Sequence, residues 1–201
     1  MKSKKKVFLT VLCAAALVVA SVLGTMAFLT STDKAENTFT VGNVAITLDE
    51  APVDTAGKVV SGDRVKENSY KLIPGHEYTK DPIIHVTAGS EASWVFVEVD
   101  NALAGAEAAT TTDGYKSIDA QIKAKGWTEL ETGVYYKEVN ATDAAAGIDL
   151  AVFDKFKAKD DLDGATLASF KDKKIVVTGY AIQKDGFDTA AAAWAEVKNA
   201  Q

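Results

Sequence analysis

The chain has 201 residues with 22 Lys and Arg against 28 Asp and Glu, a formal charge of −6, two histidines and one cysteine. An acidic chain lacks the basic face that a phosphate backbone requires, so nucleic acid is not an expected partner. One cysteine excludes an internal disulfide, and two histidines leave any metal site a very short ligand list.

The amino-terminal residues read as a secretory leader. Lys2, Lys4, Lys5 and Lys6 form a positive segment, and residues 7–23 are apolar apart from Thr10 and Ser21. Gly24 breaks the run, and Thr25-Met26-Ala27 puts small side chains three and one before a cut between Ala27 and Phe28. An uncleaved anchor helix is the alternative, since the apolar run approaches the ~20 residues that span a bilayer. Either way the domain is expected outside the cytoplasm, secreted or held at the cell surface. Cys13 lies within the leader, and removing the four leader lysines leaves 18 basic against 28 acidic residues, a charge of −10. Residues 28–201 are long enough for one domain to bury a sufficient core without disulfides.

Residues 28–37 (FLTSTDKAEN) are polar after the first two and read as an arm. Phe39 and Val41 then share one strand face, while Val44, Ile46 and Leu48 resume one position out of phase beyond Gly42-Asn43, which suggests a bulge or bend. The expected division is a leader over residues 1–27, an arm or donor strand over 28–41 and a domain over 42–201. Residues 51–68 form a polar connection. Ile73-Pro74-Gly75 has the spacing of a type II turn, and a strand follows Pro82. SWVFVEV, residues 93–99, is apolar on both faces and marks a central strand. Residues 102–114 have loop composition.

Residues 117–125 read as a short helix with Ile118 and Ile122 on one face and Gly126 as its stop. Residues 127–130 and 134–139 form a hairpin around Glu131-Thr132-Gly133. Residues 147–156 read as a strand reaching into a packed loop, 162–170 as one or two helical turns, and 174–183 as a strand. Asp188 or Thr189 caps a last helix carrying Trp194 and Val197 on one face. Short strands between turn residues, without regular strand-helix alternation, predict an all-β antiparallel sandwich of jelly-roll type with two or three short helices.

No catalytic residue emerges. His76, Glu77 and His85 are weak metal candidates: the two histidines stand nine apart between prolines, whereas a zinc protease motif needs them one helical turn apart. His76 is expected on a turn surface, and His85 on the outward face of a strand whose Ile84 and Val86 point inward. Asp160, Asp161 and Asp163 precede Gly164, but Phe170 stands where a calcium loop needs a bidentate Glu, so a solvated acidic loop is expected. Trp94 and Trp194 are expected in the core. No cofactor is implied.

The leader with its first strand (GTMAFLTSTDKAENTFTVGNVAITL, residues 24–48), the Ile73-Pro74-Gly75 turn, the strand after Pro82 and SWVFVEV together resemble the TasA and camelysin family of secreted proteins of Gram-positive bacteria. VVTGYAIQKDGFDTAAAAW, residues 176–194, is similar to the ending of many chains with this leader type, and residues 102–173 are left uncovered. The resemblance implies a leader processed by a dedicated signal peptidase of the SipW type, a jelly-roll domain, and assembly into biofilm-matrix fibres. In such fibres the amino-terminal segment of one subunit completes the sheet of the next. Carried onto this chain, the donor is residues 28–41, with Phe28, Phe39 and Val41 as apolar anchors. The implied partners are further copies joined head to tail, the signal peptidase during export, and accessory matrix proteins. Pairing of that segment within its own subunit is the monomeric alternative. Camelysin-type members also carry a metalloendopeptidase label, and an extracellular metalloendopeptidase and a monomeric adhesin are the other two functional readings.

Overall fold

The computed structural model describes residues 42–111 and 114–200. It is an all-β antiparallel sandwich with a few short helices. In chain order the strands are β1 (Ile46–Asp49), β2 (Glu77–Thr79), β3 (Ile83–Val86), β4 (Ser93–Asn101), β5 (Thr128–Glu131), β6 (Val134–Val139), β7 (Ile148–Ala151), β8 (Lys155–Lys157) and β9 (Ile175–Gln183). The helices are α1 (Ile118–Ala124), α2 (Ala141–Ala146), α3 (Gly164–Ser169) and α4 (Ala190–Asn199), with a 3-10 turn at Ala104–Ala106. Among the described residues four short α-helices stand where two or three were expected. No helix among the described residues is long and apolar enough to cross a membrane.

The strands form a short sheet ordered β1-β3-β7, a pair β2-β8, and a long sheet ordered β5-β6-β4-β9. β4 occupies the interior of the long sheet because its residues are apolar on both sides. Val95 and Val97 face the main core with Ile84 and Val86 of β3 and Leu150 of β7. Trp94 and Phe96 face the other way, where α4 covers them with Ala193, Trp194 and Val197. A strand buried on both faces needs two covering layers, and the short sheet and α4 supply them. Trp94 and Trp194 are core residues, as expected.

Local chemistry explains most boundaries. Ser117, Asn140, Asp163 and Thr189 each cap a helix by accepting from a backbone N–H three residues on. Gly133 takes a φ of 79° in the tight turn between β5 and β6, a conformation that favours glycine. Gly75 takes a φ of 70° while His76 N–H donates to Ile73 O, which gives the expected type II turn. The strand and packed loop expected over residues 147–156 are β7 and the buried Val152-Phe153, and a second strand, β8, follows at Lys155. Pro82 has no N–H for the ladder, so β2 and β3 are separate strands, and the facing segment breaks at the same level. Within that break Val152 and Phe153 turn fully into the core.

Gln121 of α1 ties this break to the helix. Its Nε2 donates to Lys116 O and Lys155 O, and its Oε1 accepts from Asp154 N and Lys155 N. Gln121→Leu strands these backbone groups in a buried site. We expect a loss of at least about 2 kcal/mol of stability, read as a lowered denaturant midpoint with an unchanged slope.

Candidate functional site

The two sheets differ in length. β4 and β9 are nine residues each, whereas β1, β3 and β7 are four. At ~3.4 Å per residue the short sheet spans less than half of the long one. The sheets meet where a side chain at Gly179 would touch Ile46 and Ile84. Beyond that point they part, and a groove of about 990 Å³ opens between the end of β1 and the start of β9. Leu48, Tyr78, Phe156, Phe170, Ile175 and Val177 give it apolar seats, charged residues including Lys66, Glu67, Lys171, Lys173 and Lys174 line the rest, and Val176 is 46 % exposed.

Among the described residues both walls are sheet edges, since β1 pairs there with β3 and β9 with β4. The opposite edges of these two sheets are guarded. β5 carries Glu129 and Glu131 with a register shift between them, and β7 is short and carries Asp149. β9 has no charged side chain along its nine residues, IVVTGYAIQ. An edge without charged side chains beside a groove that offers apolar seats is suited to receive an added strand.

Charged groups back this groove. Lys80 donates to both oxygens of Glu50 at 2.9 and 3.0 Å, and the two residues are only 9 % and 7 % exposed. Tyr70 lines the same groove and donates to Thr79 O. Burial, reinforced by the negative charge of Glu50, pushes the Tyr70 hydroxyl far above its ordinary range. Next to the pair, Arg64 bridges strand ends: Nε donates to Asp49 Oδ1, Nη1 to Asp81 Oδ2, and Nη2 to Asp49 O and Asp81 O.

His85 lies on the outward face of β3, as its alternation with the buried Ile84 and Val86 requires. Its Nδ1 lies 2.6 Å from Asp149 Oδ1 on β7, and its Nε2 lies 3.0 Å from Asp49 Oδ1 on β1. Hydrogen bonding to Asp49 raises its basicity against the opposing effect of burial, and Asp149 adds to the rise. Burial works against the Asp49 carboxylate, but hydrogen bonds from Arg64 and His85 hold its pKa below the ordinary range.

The three weak metal candidates are not brought together as a ligand set. His76 sits in the turn before β2 with Nε2 on Ala56 O, Glu77 pairs with Lys155, and His85 is enclosed by its two aspartates. Among the described residues no three His, Cys, Asp or Glu side chains are grouped to hold a metal ion. In the acidic loop Asp163 has a structural task, accepting from Thr166 N as the cap of α3. Ala27, Phe28, Phe39 and Val41 lie outside the described residues. Comparison with family models, with curated proteins and with solved structures finds no match.

Sequence reasoning passed over Glu50, Arg64, Lys80 and the aspartate partners of His85. Their only local signal is charge next to an apolar strand. Lys80→Met leaves a buried carboxylate without its cation, and we expect a loss of about 3–5 kcal/mol by chemical denaturation. Glu50→Leu combined with Lys80→Met removes both charges and is expected to recover most of that loss.

Proposed function

We propose that the chain is a secreted structural subunit of extracellular biofilm-matrix fibres, polymerising by donation of residues 28–41 to the next subunit. The observation that carries this reading is the position of the groove relative to the point where the upstream chain enters the fold. Asn43 O accepts from Glu91 N, and Lys184 N donates to Ala92 O, so residue 42 lies near the turn into β4 and the end of β9. From there β1 runs past Gly179 toward the start of β9, where the groove opens. Entry and groove are therefore at opposite ends of β1 and β9.

That polarity suits a head-to-tail contact, which does not close on itself and extends into filaments. The groove and the uncharged β9 edge supply what a donated strand needs: apolar seats for alternate side chains and backbone groups for a ladder. Phe28, Phe39 and Val41 are the anchors the donor brings. At ~3.3 Å per residue the fourteen residues of the segment reach ~45 Å, far enough to cross to a neighbour. The resemblance to the TasA and camelysin family points the same way, and further copies of this chain are the principal partner under this reading. The leader-directed export and processing belong to the same proposal.

Protein beginning at Phe28 is expected to form filaments in negative-stain microscopy, and deletion of residues 28–38 is expected to abolish them. Val176→Lys tests the acceptor side. The position is exposed and directly opposite Asp100, so the fold is expected to lose less than about 0.5 kcal/mol, while filament formation fails. Persistent monomer at high concentration, or filaments unaffected by either change, overturns the reading.

A further inference from the structure

We propose that His85 is a proton-controlled latch on β1, and that protonation of this residue sets how well the groove accepts a strand. The inference rests on the fibre reading for its consequence and on the geometry of β1, β3 and β7 for its mechanism.

His85 stands in the middle strand of the short sheet, directly opposite Thr47 on β1 and Asp149 on β7. Each ring nitrogen faces a carboxylate, Nδ1 that of Asp149 and Nε2 that of Asp49. Asp149 and Asp49 are the titratable groups in contact with the ring; Arg64 reaches it through Asp49, and Asp81 through Arg64. A doubly protonated imidazole donates to both carboxylates at once and ties β1 to β3 and β7. A neutral imidazole has one N–H, so one of its nitrogens then presents a lone pair to a carboxylate oxygen. The tie lost on deprotonation is the one to Asp49, because Nδ1 has the shorter contact, 2.6 Å to Asp149 against 3.0 Å to Asp49, and Asp49 Oδ1 already accepts from Arg64 Nε.

Asp49 belongs to β1 and lines the groove. Among the described residues β1 has no second strand partner; it has four residues, and its last position is the one His85 and Arg64 hold. Loss of the tie therefore acts on the least supported wall of the groove. The direction follows from linkage. A histidine whose pKa is raised in the fold stabilises it fully below ~6.5, and the contribution is lost as pH rises through the raised value. β1 is held in acid and loosened toward the alkaline side.

The test uses protein beginning at Phe28 and two readouts. Amide exchange of residues 46–49, corrected for intrinsic rates, is expected to accelerate about tenfold between about pH 5 and about pH 8, in step with the His85 titration seen by NMR. His85→Gln is expected to give fast β1 exchange at all pH values. Asp149→Asn, at a side chain 70 % exposed, keeps the fold and is expected to shrink the change while leaving the Asp49 contact. Seeded filament growth is expected to slow with the same midpoint and to lose that dependence in His85→Gln. Exchange of β1 that ignores His85 titration overturns the latch. PH-independent growth in the unmodified protein overturns its control of the groove. A latch that responds in exchange while no filaments form at any pH overturns the fibre reading alone.

Discussion

The structure turns on one mismatch of lengths. β4 and β9 run for nine residues, and the sheet packed against them is built from strands of four. An apolar face must be covered along its whole length, and a four-residue strand covers less than half of a nine-residue one. Over one half, β1, β3 and β7 complete the sandwich. Over the other, Val99, Ile175 and Val177 are covered by α1, by the β2-β8 pair and by connections, none of which continues the short sheet. The groove is what that substitution leaves. The break at Pro82 produces it, because a strand passing unbroken from β2 into β3 would have extended the short sheet along the long one.

Charge replaces hydrogen-bonded ladder where the short sheet ends. At the end of β1 the chain leaves for a connection that returns at Val65, where Glu50 and Val65 exchange backbone hydrogen bonds. Arg64 then spans Asp49 and Asp81, and Asp81 Oδ1 accepts from Ala51 N. These side chains satisfy backbone groups that a longer β3 would otherwise have paired. The buried Glu50–Lys80 pair is costly to place there, since desolvation offsets much of its attraction. Its directional contacts fix the connection against β2, which an apolar pair of the same size would do with less specificity. Stability argues weakly for such a pair, and definition of the groove's back wall argues for it strongly.

What was legible in the sequence follows the range of the interactions responsible. β4 was readable because burial on both faces is written into consecutive residues, Trp94 to Val97. α1, α4 and the hairpin at Gly133 were readable because their caps and turns are local. α2 was missed although Asn140 caps it, because Ala141 to Ala146 has no apolar stripe to announce a helix. The division of β7 from β8 depends on Pro82, some seventy residues away in sequence, and no local pattern carries it. The orientation of His85 was correct from alternation alone. Its partners were not readable, as Asp49 and Asp149 are 36 and 64 positions distant and resemble any other surface aspartate. The groove was invisible for the same reason: it is a difference between strand lengths on two sheets, not a property of either.

The sheet edges show why this mismatch has a direction. An open sandwich has edges, and an edge left apolar, long and unpaired is a site for uncontrolled pairing. β5 is protected by Glu129 and Glu131 and by its register shift, and β7 by brevity and Asp149. β9 has no charged side chain along IVVTGYAIQ, the lysines Lys171, Lys173 and Lys174 standing before it, and its first half borders the groove. Residues 42 and 43, where the described chain begins, lie at the other end of β9, beside Glu91 and Ala92. Under the fibre proposal that separation puts acceptor and donor at opposite poles of the subunit, and a head-to-tail contact of that kind extends along a line.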